Sequence, residues 1–277
     1  MVTAAATWQA RLALEYTLQR GRTTLCAREH SGPLLVQKAL YPEGDAVCHS
    51  IIVHPPGGIA GGDELALEVR LRGGAAALLT TPGAGKWYKS IGPGARLSQC
   101  FKIERGAALE WLPQPAIVFD RARAAMRTEV HLREDALYLG WDIACLGRTA
   151  SGERFASGEL RQRTELWQEG NRLWCEYARL AGDDPILASK AGLDGCTVSA
   201  TLIAAGRDIE KTLLAQCRGI APQAGERAGI TALPRVLLAR YLGHSTEAAM
   251  HYFTALWCLL RQALAGRAAV PPRIWAT

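Results

Sequence analysis

From residue 34 to about 180 the chain consists of short runs in which apolar and polar side chains alternate, cut by Gly, Pro or Asp. LALEVRLR (65–72), ARLSQCFKIE (95–104) and MRTEVHLRE (126–134) are the clearest cases. Period-two alternation is the signature of half-buried strands. In the first run Leu65, Leu67, Val69 and Leu71 share one face, and Glu68, Arg70 and Arg72 share the other. That pattern is expected of a sheet with one wet face. Breaks at Gly73-Gly74, Gly92 to Gly94, Ser151-Gly152 and Glu169 to Asn171 recur too closely for helical crossovers, which need a dozen or more residues each. The bulk is therefore expected to be all-β, with antiparallel or coiled connections.

After Ser245 the period changes. Ala249, Phe253, Leu256, Trp257, Leu260 and Leu264 recur at three- and four-residue spacing, and Ser245 is a suitable N-cap with Glu247 in the first turn. The spacing predicts a helix over 246–264, with Arg261 near its negative end and Gly266 as the stop. Segment 202–218 reads as helix or strand, since TVSATLIAA (197–205) alternates. No repeat or Pro/Ser-rich linker divides the 277 residues, so a single domain over 1–277 is expected, mostly β to about 240.

Composition narrows the functional classes. With 49% hydrophobic residues a disordered chain is excluded, and the net charge of +6 is a mild excess that does not call for nucleic acid. Arg121, Arg123, Arg127, Arg161 and Arg163 lack an interleaved aromatic platform for single strands. The eight cysteines lie far apart without a CxxC pair, which removes zinc-knuckle and thioredoxin-like motifs. The start MVTAAATWQARLALEYTLQRG lacks an apolar signal core, and the run 248–260 is too short to cross a bilayer. A cytoplasmic chain with reduced thiols and no membrane partner is expected.

TTPGAGKWYKS (80–90) is no phosphate loop, because Thr80 stands where the first glycine belongs and Trp87 follows Lys86. HPPGGIAGGD (54–63) sets Pro55 and Pro56 beside Gly57, Gly58, Gly61 and Gly62. It reads as a rigid corner capped by Asp63, or as a place where a partner or ion approaches bare backbone. Cys48, His49 and His54 resemble a metal cluster on paper. On one strand, however, Cys48 and His49 would point to opposite faces, and Cys48 and His54 would stand about 20 Å apart. Any metal contact there is expected to be loose and transient. Glu110, Asp142 and Glu176 lie among apolar neighbours, so each is expected either to pair with an arginine or to face a wet cavity that draws a divalent cation. No GxSxG elbow or assignable triad is present. A small-anion hydrolase or transferase using the glycine corner with Lys86 and Lys89 is the enzymatic alternative.

In order along nearly the whole chain, GPLLVQKALYPEG (32–44), CHSIIVHPPGGIAGGD (48–63), TTPGAGKWYKS (80–90), LEWLPQ (109–114), GRTASGERFASGE (147–159) and PPRIWAT (271–277) resemble the urease accessory protein UreD family, also called UreH. The resemblance implies a non-enzymatic scaffold of stacked strands in a β-helix-like arrangement, with a few α-helices toward the C-terminus. It implies a hetero-oligomer in which UreF and, through it, the GTPase UreG dock on urease apoprotein for nickel insertion. No tightly bound cofactor is implied, only nickel in transit. Carried onto this sequence, the motif residues are the glycine corner with Asp63, then Lys86, Tyr88, Ser90, Gln114 and Asp142. Cys48, His49, His54, Asp63 and Glu176 become transient metal candidates, and Phe253, Trp257 and Leu260 would support the fold or meet UreF. Two positions depart from the family pattern: Pro115 replaces a glutamate after LPQ, and Tyr177 follows Glu176 where an arginine is common.

Overall fold

A computed structural model describes residues 7–276; the first six residues of the N-terminal stretch and Thr277 of the PPRIWAT motif lie outside the described residues. The strands are β1 (Gln9–Gln19), β2 (Arg22–Ser31), β3 (Leu35–Val36), β4 (Val47–Val53), β5 (Glu64–Leu71), β6 (Ala76–Thr80), β7 (Gly85–Trp87), β8 (Ala95–Ile103) and β9 (Ala108–Trp111). They continue with β10 (Ala116–Val118), β11 (Arg123–Leu132), β12 (Leu137–Leu146), β13 (Glu159–Gln168), β14 (Asn171–Ala181), β15 (Val198–Ala205), β16 (Arg227–Leu233) and β17 (Val236–Gly243). Two α-helices, α1 (Lys211–Gly219) and α2 (Thr246–Ala265), lie in the C-terminal third.

From β4 to β13, apart from the short β7 and β10, successive strands alternate between two sheets. A seven-stranded sheet has the order β14-β13-β11-β8-β5-β1-β2, and a ten-stranded sheet runs β16-β17-β15-β12-β9-β6-β4-β3 with β7 and β10 branching from it. Strands β5, β8, β11 and β13 pair in parallel, as do β4, β6, β9 and β12, so the chain winds as a flattened β-solenoid of about four turns. The expected stacked-strand class is the one observed. The expectation of one wet face also holds in β5, where Leu65, Leu67, Val69 and Leu71 are buried and Glu68 and Arg70 are exposed. The pairing is the surprise, because one-sided alternation usually accompanies antiparallel sheets. Here the parallel partner is reached through the opposite sheet rather than through a covering helix, which leaves the outer face of the seven-stranded sheet to solvent.

The main core fills the space between the sheets with residues such as Leu67, Phe101, Trp111, Val130 and Tyr138. A second core lies between the outer face of the ten-stranded sheet and α2. Strand β12 serves both: Leu139, Trp141 and Ile143 face α2, while Tyr138 and Ala144 face the inner core. Segment 202–218 resolves into the end of β15, a connection and α1.

The C-terminal helix matches its predicted span to within one residue. The Ser245 side chain accepts from the Ala248 amide, and Gly266 closes the helix in the left-handed conformation. Phe253, Trp257 and Leu260 are at most 1% exposed against the ten-stranded sheet. Of the two roles expected for this stripe, the structure assigns fold support, because a side chain sealed in the core offers a partner no surface. Arg261 lies near the C-terminal end of the helix as expected, and it is fully buried and points into the sheet.

Candidate functional site

The two Gly-rich motifs meet. The Ile59 amide donates to the Lys86 carbonyl at 2.7 Å and the Tyr88 amide donates to the Ile59 carbonyl at 2.9 Å, so the corner and the loop form one bridge across a connection between sheets. Gly58 is required by this contact, since a Cβ there would stand inside the Tyr88 ring. Gly61 meets Ser90 in the same way, and the Ser90 hydroxyl donates to the Pro93 carbonyl at 2.6 Å. Asp63 caps the corner: one carboxylate oxygen accepts from the Ala60 amide and the other from the Trp8 amide, both at 2.8 Å. With both oxygens engaged at 2% exposure, Asp63 acts here as a turn cap.

Beneath the bridged motifs, between the sheets, is a cavity of about 380 Å³. His54, Gly58, Lys86, Gln114 and Asp142 line it among mostly apolar walls. Strand β12 presents Asp142 to the inner space. Among the described residues its carboxylate makes no hydrogen bond and no ion pair. Burial, with the nearby negative charge of Glu176 second, pushes its pKa up to about 6. His54 has its Nε2 buried and without a hydrogen-bond partner. Burial lowers its pKa against the pull of Asp63, which keeps the ring neutral and its lone pair available. Gln114 lines the cavity and Pro115 follows it: the Gln114 backbone amide donates to Thr81 Oγ1, and the Pro115 carbonyl accepts from the Gly85 amide at 2.9 Å. The residue that departs from the family pattern thus contributes a backbone acceptor to the loop bearing Lys86.

The other metal candidates are dispersed. Cys48 is buried in β4 near Tyr41 and Ser50. His49 lies in a polar network beneath α2. Its Nε2 donates to Glu43 at 2.6 Å, Arg261 binds Glu43 at 2.7 Å and Glu110 at 2.9 Å, and Trp257 Nε1 donates to Glu110 at 2.6 Å. Burial disfavours the charged form of Glu43, yet His49 and Arg261 hold its carboxyl below the ordinary range. Glu176 reaches from β14 across to Arg240 of β17 at 2.6 Å. The five candidates therefore form no common ligand set. The three carboxylates noted among apolar residues divide into two ion pairs, Glu110 and Glu176, and one unpaired group, Asp142.

The sequence reading missed Glu43 and the buried pairing of Arg261 with it, which joins residues more than 200 positions apart. It also missed the convergence of Cys100, Glu129 and His131 on the outer face of the seven-stranded sheet. Alternation in MRTEVHLRE puts Glu129 and His131 on one face, but no local signal brings Cys100 alongside.

A family model described as UreD urease accessory protein matches residues 9–276. The chain belongs to the UreD urease accessory protein family. The chain is 48% identical over 270 residues to the urease accessory protein UreD of Azoarcus sp. strain BH72, covering 98% of this chain and 94% of that one. It is 50% identical over 273 residues to the UreD of Dechloromonas aromatica strain RCB, covering 98% and 95%. It is 49% identical over 271 residues to the UreD of Pseudomonas aeruginosa PAO1, again covering 98% and 95%. These relatives are named urease accessory proteins, and membership of their family gives this chain an accessory role in urease maturation. Among the described residues no helix is long and apolar enough to cross a membrane.

Proposed function

We propose that the chain is the scaffold of a cytoplasmic urease maturation complex. With UreF and UreG it docks on urease apoprotein and lets nickel pass to the active site, the ion being cargo and not a resident cofactor. GTP hydrolysis belongs to the partner, in keeping with the failed phosphate-loop spacing of 80–90. The observation that carries the nickel part is the unpaired Asp142 carboxylate in a cavity between the sheets, with the free Nε2 of His54 in the same lining. Two separated donors on apolar walls hold a divalent cation briefly, whereas a closed set of three or four would retain it under the Irving–Williams preference.

Co-expression of urease with its helpers, with and without this chain, tests the reading. Nickel-dependent urease activity should require the chain, and full activity in its absence overturns the maturation role. For the passage itself, Asp142→Asn should leave the complex able to copurify with urease while lowering activation at least severalfold. Unchanged activation removes Asp142 from the path.

A further inference from the structure

The outer face of the seven-stranded sheet carries a second set of metal-ligating side chains, separate from the cavity. Strands β8 and β11 pair in parallel with Glu129 directly opposite Cys100, and His131 follows two residues along β11 on the same face. The Cys100 thiol, a Glu129 carboxylate oxygen and a His131 ring nitrogen all lie within 4.8 Å of one another. We propose that Cys100, Glu129 and His131 form a surface site for a borderline-soft transition-metal dication such as Zn²⁺, Co²⁺ or Ni²⁺. This site stands whether or not nickel passes through the interior.

Metal–ligand bonds of about 2.0–2.3 Å in tetrahedral geometry set ligand atoms roughly 3.5 Å apart, so rotation of three surface side chains by about an ångström closes the site. One sulfur, one nitrogen and one oxygen donor select this class of ion and exclude Mg²⁺ and Ca²⁺, which take oxygen sets. The His131 ring lies nearly parallel to Trp167, at 12° and 6.4 Å between centroids, which limits its tilt. The side chains of His131 and Glu129 are 43% and 25% exposed, so ions arrive from solvent and water can take the fourth position. The residues preceding Cys100 and Glu129 point the other way: Thr128 Oγ1 donates to Gln99 Oε1 at 2.8 Å, and Gln99 lines the cavity. The two sites are thus separated by the thickness of one sheet.

The surroundings argue for exchangeable binding. Arg127 is hydrogen-bonded to Glu129 and also lies 3.3 Å from Glu165, while Lys102 stands opposite His131 in the strand register. A metal must draw Glu129 away from Arg127. Arg163, at 3.0 Å, still neutralises Glu165 when Arg127 is removed.

Titration of the full chain with Co²⁺, followed by the sulfur-to-cobalt charge-transfer band, tests the proposal. The wild-type chain should develop the band and saturate near one thiolate-bound ion. Cys100→Ser should abolish it, Cys26→Ser should not, and His131→Ala should weaken binding about tenfold or more with an unchanged far-ultraviolet dichroism spectrum. Arg127→Gln should tighten binding severalfold by freeing Glu129, a gain that misfolding cannot imitate. Absence of the band in the wild type, its persistence in Cys100→Ser, or no change in affinity in Arg127→Gln would each overturn the site.

Discussion

Asp142 is the residue at which stability and the proposed passage of nickel pull in opposite directions. Its folded pKa of about 6 lies above the ordinary aspartate value near 4, so the folded state binds the extra proton between those limits. Stability therefore falls as pH rises from about 4 to 6 and stays lower above 6, where the carboxylate is charged in both states. Asp142→Asn removes that loss. The variant should be more stable than the parent at pH 8 by roughly 1–3 kcal/mol, with no comparable difference at pH 4, as read from urea denaturation at both pH values. Equal stability at pH 8 would show that solvent in the cavity already satisfies the carboxylate. The sequence marked Asp142, Glu110 and Glu176 alike, because all three sit among apolar neighbours. It could not separate them, since the arginines that neutralise Glu110 and Glu176 lie 151 and 64 residues away.

At the scale of elements, what depends on local periodicity was legible and what depends on register was not. Helix α2 declared itself through its apolar spacing and its caps, and β5 through strict alternation, because both signals are carried by neighbours along the chain. Parallel pairing of β5 with β8 joins residues 32 apart, Glu64 with Arg96, and no short window contains that information. The anchoring of α2 is of the same kind. Arg261 joins the helix to Glu43, before β4, and to Glu110 of β9, so the last helix is tied to two early segments by charge as well as by apolar packing. Removing one partner of a buried ion pair leaves an uncompensated charge, so Arg261→Met should cost about 3–5 kcal/mol. Combining it with Glu43→Gln and Glu110→Gln should recover part of the loss, because the stranded charges are then gone. Urea midpoints of the single and triple variants check this, and a single-variant loss below about 1 kcal/mol would mean that α2 is held by its apolar face alone.

At the scale of the whole molecule, a solenoid that alternates between two sheets must route its connections around the edge of the inner space, and the bridged glycine corner is where two of them cover the cavity. Sequence located both motifs and offered a corner as one of two readings of 54–63, yet their contact is a property of the coil, which superposes successive turns. The bridge also explains why a bare backbone stands opposite an aromatic ring. Tyr88 packs edge-on to Phe119 with centroids 5.2 Å apart, so it has little room to yield to a new methyl at Gly58. Gly58 does not occupy the left-handed region, so the cost of Gly58→Ala comes from this contact and not from backbone strain. Gly58→Ala should therefore destabilise the chain by about 1–3 kcal/mol when Tyr88 is present, the range for overpacking a well-filled site. In a Tyr88→Ala background the same change should cost less than about 0.5 kcal/mol, because the methyl enters space the ring has left. A double-mutant cycle in urea measures the difference directly. If Gly58→Ala costs the same in both backgrounds, the corner and the loop are not mechanically coupled, and the cover of the cavity must be held by the two backbone hydrogen bonds alone.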